Sequence, residues 1–291
     1  MGDWKMEILE QHFTSHDGAE LFYRHWQPDY KSEKAVILFH RGHEHSARWQ
    51  DLIEKLNLKG FNFFAWDARG HGHSPGERGY AESFDVLVQD VDCFVRHISE
   101  TYEIDPQNIV ILAHSVGSVL TSTWVHDYAP KIRGLVLGSP ALRVRLYAPF
   151  AIPALRLLNK IRKKSFISSY VKGRLLTRDP AKIDDYNNDP LITPQIAVNI
   201  LLGLYDAGTR LIKDAAAITT PTLILTSGND FVVKQSAQKK FYDRLSNPRK
   251  EMQTYEASYT TPLMKPKTIF QLPKRECSLL IYLKESSNPP N

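Results

Sequence analysis

Short runs dominated by apolar residues recur along the chain: AVILF at 35–39, FNFFAW at 61–66, NIVILA at 108–113, GLVLG at 134–138 and TLILTS at 222–227. Runs this short and this continuously apolar predict strands buried on both faces, as in a parallel sheet covered by helices. EMQTYE at 251–256 reads as one more strand. Ahead of them, ILEQHF and ELFYRHW flank His16-Asp17-Gly18 and predict an N-terminal hairpin. Helical periodicity fills the gaps. Its clearest case starts at Ser83 as N-cap and carries Phe84, Leu87, Val91, Phe94, Val95, Ile98 and Tyr102 on one stripe. Strand–helix alternation predicts a doubly wound α/β domain. The alternation stops over 141–212, which is basic, rich in Leu, Ile and Tyr, and reads as a helical insertion between two strands of the sheet. The expected organisation is a core of 1–140 and 213–259, a helical cap of 141–212 and an atypical tail of 260–291.

Charge sharpens that division. Residues 141–182 hold 11 Lys and Arg but a single acid, Asp179, so this stretch alone carries +10 against +5 for the whole chain. A mildly acidic body with one basic segment argues for one local positive face and against a nucleic-acid-binding surface. Arg156, Lys160, Arg162, Lys163 and Lys164 interleave with Leu155, Leu157, Leu158 and Ile161. Two readings of this stretch stand: a solvated helix face, or peripheral docking on an anionic membrane. Cys93 and Cys277 supply neither a disulfide framework nor a zinc cluster. No run of roughly 18 apolar residues marks a transmembrane helix. The opening MGDWKMEILEQ lacks a signal-peptide core, and Met6 stands where a myristoylation motif needs Ser or Thr. A cytoplasmic protein, at most peripherally membrane-bound, is expected.

The chemistry gathers in four segments. Ala113-His114-Ser115-Val116-Gly117 follows a strand and opens the helical stretch 116–128. That is the context of a nucleophile elbow, in which a tight turn between small residues exposes the serine oxygen. A plain N-cap serine is the competing reading. His40-Arg41-Gly42-His43-Glu44-His45-Ser46 and Asp67-Ala68-Arg69-Gly70-His71-Gly72-His73-Ser74 each follow a strand, and Ser227-Gly228-Asn229-Asp230 follows a later one. His43, Glu44 and His45 invite a metal reading, but a loop tied to the oxyanion site accounts for them better. Asp67, Arg69 and His71 read as residues that structure a turn.

Together HRGHEHSARW, DARGHGHSPGERGY, AHSVG and SGNDFVV, over about 12–259, resemble the α/β-hydrolases of the monoacylglycerol-lipase and lysophospholipase branch, also labelled serine-aminopeptidase-like. The resemblance implies an α/β-hydrolase fold: a mostly parallel sheet flanked by helices, with a helical cap inserted after the sixth strand. It implies Ser115 as nucleophile, Asp230 as the triad carboxylate, the N–H groups of Gly42 and Val116 as oxyanion hole, and a small lipid-like acyl ester as substrate. It requires no cofactor and no metal. A peptidase or amidase and a non-catalytic lipid- or partner-binding relic of the fold are the alternatives. Arg41 and His43 depart from the commoner H-G-x-G-x-H-S pattern. The variant resembles bacterial proteins in which such a hydrolase precedes a methyltransferase domain, and this chain is expected to end before one.

One part of the pattern is missing. The 11 histidines all lie between His12 and His126, so none follows Asp230, where the family places its base. The expected position, 260, holds a threonine in Ala257-Ser258-Tyr259-Thr260-Thr261-Pro262. The genetic code suggests a cause. Met264-Lys265 implies ATG-AAR, which read one base earlier yields glutamate, and Tyr259-Thr260 yields histidine or tyrosine. The remaining choices permit Tyr-His-Asp-Thr-Ile-Asn-Glu-Ala-Lys-Asp, which resembles the family's ending. A one-base deletion near Tyr259 is therefore expected in the gene, and impaired turnover in the chain as written.

Overall fold

The computed structural model describes residues 6–177 and 179–255. Strands β1 (Glu7–Thr14) and β2 (Glu20–Gln27) form the N-terminal hairpin, in register from Glu7 opposite Gln27 to Thr14 opposite Glu20. The sheet continues with β3 (Ala35–Phe39), β4 (Asn62–Trp66), β5 (Ile109–His114) and β6 (Gly134–Gly138). Around and between these lie helices α1 (Gln50–Leu56), α2 (Phe84–Thr101) and α3 (Val116–Tyr128). After β6 come α4 (Ala151–Ile161), β7 (Phe166–Ser168), α5 (Gly173–Leu176), α6 (Pro180–Asn188), β8 (Gln195–Ala197) and α7 (Val198–Lys213). The chain then returns to the sheet through β9 (Thr222–Ser227), α8 (Gln235–Arg244) and β10 (Lys250–Tyr255).

The eight long strands form one sheet in the order β1-β2-β4-β3-β5-β6-β9-β10, parallel from β4 to β10. Every residue of β3, β4, β5, β6 and β9 is buried, as their uninterrupted apolar character requires. One apolar cluster, containing Phe39, Trp66, Phe94 and Trp124, lies under α2 and α3; a second, containing Trp26, Trp49, Phe61 and Phe63, covers the opposite face. Ser83 caps α2 as its position suggests, accepting a hydrogen bond from the Val86 N–H. Among the described residues, no helix is long and apolar enough to cross a membrane.

The stretch 141–212 is not wholly helical. Phe166–Ser168 pairs antiparallel with Gln195–Ala197, setting Ile167 opposite Ile196. A pairing of three residues on each side is too short for strand periodicity to register in sequence. The final helix of the insertion, α7, packs on α2 and α3 and buries Val198, Leu201, Leu204 and Leu211. By contrast α4 buries none of its side chains, and Phe150, Leu157 and Ile161 are 83%, 60% and 77% exposed.

Candidate active site

The parallel strands β3, β4, β5 and β9 deliver the four motif-bearing loops to their carboxyl ends, where open α/β sheets collect ligands and chemistry. Ser115 joins β5 to α3 with φ 54° and ψ −109°, and its side chain makes no capping hydrogen bond. An ordinary N-cap serine has extended backbone and a hydroxyl turned back on its helix. The local conformation therefore favours the elbow reading. Holding a serine there costs about 1–3 kcal/mol. Neighbouring backbone supports it: the Ser115 N–H donates to the Gly138 carbonyl at 2.8 Å, and the Ala141 N–H donates to the Ser115 carbonyl at 3.1 Å.

Gly117 allows the turn to sit close to β3. A methyl group there would lie 2.5 Å from the His40 carbonyl oxygen and 2.6 Å from that of Phe39. Gly→Ala within a helix ordinarily gains up to about 1 kcal/mol. Here the contact is with backbone and cannot be relieved by a rotamer change, so overpacking wins. Gly117→Ala is expected to lower stability by about 1–3 kcal/mol or more, checked by urea denaturation. A stabilised variant would contradict the close packing of the elbow on β3.

Gly42 sits beside the elbow, since a methyl group built on it would lie 3.2 Å from Val116 Cγ2. Val116 opens α3, so its N–H lies among the first-turn donors that have no partner within a helix. His40 fixes the loop bearing Gly42. Its Nε2 accepts from the Ala68 N–H at 3.0 Å, and its Nδ1 bonds to the Arg41 carbonyl at 2.7 Å. The first bond needs a bare Nε2, so the proton is on Nδ1 and the ring is neutral. Burial also pushes its pKa down. Both nitrogens of His40 are thus occupied in tying together the loops after β3 and β4.

The other histidines of this edge are also engaged. His71 bonds to the Arg69 carbonyl at 3.0 Å, and burial lowers its pKa to about 3. His43 is pushed down to about 4, chiefly by burial, and hydrogen-bonds to the Thr193 backbone. His45 Nε2 lies 2.9 Å from Asp189. His114 is buried at the end of β5. Among the described residues, no histidine hydrogen-bonds to the Ser115 hydroxyl. Position 260, where sequence reasoning expects the base, lies outside the described residues, as do Tyr259 and the tail.

Asp230 stands beyond the carboxyl end of β9 and is 5% exposed. Its Oδ1 accepts from the Val232 and Val233 N–H groups, each at 2.8 Å, which fixes the carboxylate in its turn. The glycine-rich loop after β4 is structural, as its residue types suggested. Asp67 accepts from the Ser46 N–H at 2.6 Å and the His73 N–H at 2.7 Å, and Arg69 bridges Asp17 and Asp90.

Sequence reasoning missed a set of contacts from the insertion. Lys182 of α6 pairs with Asp51 at 2.9 Å, while Asp185 pairs with Arg48 and Asp189 with His45. The Tyr186 ring faces both Arg41 and Arg48, with their guanidinium carbons 5.4 and 6.0 Å from its centre. Arg41 and Glu44 form a buried ion pair within the loop itself. Burial pushes the Glu44 pKa up, but the Arg41 charge and hydrogen bond outweigh it and hold the carboxyl below its ordinary range. Nothing in the spacing of Asp185 and Asp189 shows that they reach a loop more than 130 residues away. The loop beside Ser115 is therefore braced from two sides, by His40 beneath and by α6 above.

The chain is similar to known proteins in sequence and in fold. Residues 30–264 match the serine aminopeptidase, S33, family. The uncharacterized Escherichia coli K12 protein YnbC is 53% identical over 253 residues, which make up 86% of this chain and 43% of that protein. The chain thus spans less than half the length of that relative. Human monoglyceride lipase is 27% identical over 252 residues, covering 85% of this chain and 82% of the lipase. The crystal structure of Paleococcus ferrophilus monoacylglycerol lipase superposes with a TM-score of 0.72 and 26% identity, covering 88% of this chain and 91% of that one.

Proposed function

The chain belongs to the serine aminopeptidase S33 family, with the α/β-hydrolase fold of the monoacylglycerol lipases, and from that premise we propose that it is a serine hydrolase for lipid-like acyl esters. Ser115 attacks the acyl carbonyl, and the N–H groups of Gly42 and Val116 hold the oxyanion, a donor of this kind contributing about 3–4 kcal/mol. A histidine base oriented by Asp230 would take the serine proton and pass it to the leaving alcohol, and water would then release the acyl group from Ser115. The chain as written has no histidine beyond His126 to fill that role, so its turnover is impaired. The observation that carries the reading is the backbone of Ser115, whose φ of 54° lifts the serine out of the capping geometry a helix start would otherwise give it.

A fluorophosphonate probe tests the nucleophile. Slow labelling of Ser115 is expected, with none in Ser115→Ala. No labelling even on long exposure would leave the fold a non-catalytic lipid binder. Comparing a monoacylglycerol with an aminoacyl amide on the same protein separates esterase from peptidase, and faster ester cleavage is expected.

The cap supplies a contact with the lipid phase. Arg156 and Lys160 project from the exposed helix α4, with Phe150 and Ile161 at its ends and Lys163 just beyond. The protein is expected to co-sediment weakly with vesicles containing phosphatidylglycerol and to dissociate at high salt, because screening shortens the reach of exposed charge. Equal binding to neutral phosphatidylcholine vesicles, or none to either, would mark α4 as a solvated face.

A further inference from the structure

Away from Ser115, a groove of about 490 Å³ opens between the insertion and α8. Its apolar wall comes from Val144, Leu146, Ile152, Pro153 and Ile212. Arg143, Lys234 and Lys240 supply its charge, and no carboxylate lines it. The arginine is already committed: its guanidinium donates to the Leu142 and Tyr205 carbonyls and to Thr209 Oγ1. The two lysines have no ion-pair partner among the described residues. The neighbouring Lys239, in contrast, is paired with Asp243 at 2.9 Å. The groove therefore offers net positive charge beside a continuous apolar surface. Ligand pockets of roughly 300–1,000 Å³ are built in this way, from mostly apolar walls and a few polar groups that orient the ligand.

We infer that this groove is a second binding site, for a single-chain anionic amphiphile, specifically a long-chain carboxylate. The head group lies against Lys234 and Lys240, and the alkyl chain lies along Ile152, Pro153 and Ile212. Charge complementarity selects the anion and the apolar wall selects the chain. Apart from Ser236 and Tyr205, the lining has no neutral side chain to hydrogen-bond a sugar or a base. The groove adjoins the turn that carries Asp230. The Lys234 N–H donates to the Arg143 carbonyl at 2.9 Å, and the preceding Val233 N–H donates to Asp230 at 2.8 Å. A long-chain carboxylate is also what ester hydrolysis at Ser115 would release. That coincidence rests on the function proposed above, whereas binding in the groove does not need the reaction.

Laurate below its micellar concentration is the probe, titrated calorimetrically into the full chain and into Ser115→Ala. Both are expected to bind it equally, so failure of the hydrolase reading would leave this result intact. Lys234→Glu with Lys240→Glu, and separately Ser236→Trp, which fills the groove, are each expected to weaken binding at least tenfold. Lys239→Glu, on the neighbouring face, is expected to change it less than twofold. The milder Lys234→Gln with Lys240→Gln keeps the test valid should the reversed charges unfold the protein, and it too must weaken binding. Equal affinity in all variants would overturn the site. So would equal affinity for the neutral glycerol monododecyl ether. Competition by inorganic phosphate as strong as by laurate would reduce it to a simple anion site and overturn the amphiphile assignment.

Discussion

Restoring one base at the Tyr259–Thr260 junction, so that histidine follows Tyr259, is expected to raise hydrolysis of p-nitrophenyl acyl esters by at least about 10³-fold. Removing the base from a serine-hydrolase triad costs on the order of 10⁶ in kcat in the best-measured case. Oxyanion donors and binding alone leave roughly 10³–10⁴ over water. Ser115 without a base remains a neutral hydroxyl and a poor nucleophile. The restored frame also removes Pro262, Pro266 and Pro273 from a segment where the fold expects a closing helix, so thermal stability is expected to rise with the rate. Thr260→His alone keeps those prolines and is expected to recover less. Adding Ser115→Ala to the restored chain should return it to background. High activity of the chain as written, abolished by Ser115→Ala, would show that another group serves as base. A thymine in the third position of the Tyr259 codon would remove this placement of the lost base, because the shifted codon would then encode tyrosine.

Glu44→Ala is expected to be the most damaging substitution outside the catalytic residues. Arg41 and Glu44 are 7% and 3% exposed, and the pair lies under Tyr186 of α6. Truncating one partner of a buried pair leaves an uncompensated charge and costs about 3–5 kcal/mol. In a protein of this size that shifts Tm by on the order of 10 °C. Replacing both residues by methionine removes the charge and the need for it together, and should cost far less. Calorimetric melting of the single and double variants checks this. A loss below about 1 kcal/mol for Glu44→Ala would mean that water reaches the pair and screens it.

The sheet was largely legible in sequence because burial on both faces leaves a local signature. AVILF, GLVLG and TLILTS cannot satisfy an amphipathic helix of their length, and all three are sheet strands. The elbow was legible as a motif, but the sequence could not distinguish it from a capped helix start. The positive φ of Ser115 and its missing capping bond favour the elbow reading. His40 looked like one more residue of the loop tied to the oxyanion site. Its role as a crossbar depends on the Ala68 N–H of another loop, a contact that sequence spacing does not encode. The ties from Lys182, Asp185 and Asp189 were invisible for the same reason. Charged residues on an isolated helix look solvated until their partners are known.

The insertion leaves the sheet after Gly138 and returns at Thr222, yet β6 and β9 are neighbours, with Leu135 paired to Thr222 and Gly138 to Leu225. Closing that sheet therefore means closing a very long loop. The entropy of loop closure grows only with the logarithm of length, so doubling such a segment adds about 0.6 kcal/mol. The kinetic burden is heavier, because a pairing between distant residues must wait for the chain to meet itself. Over evolutionary time the two effects pull in different directions. Within residues 139–221 the exposed helix α4 can change length or composition at little thermodynamic penalty, whereas α7, whose Val198, Leu201, Leu204 and Leu211 are buried, cannot. The outer layer of the insertion can thus vary while the pairing of β6 with β9 stays as it is.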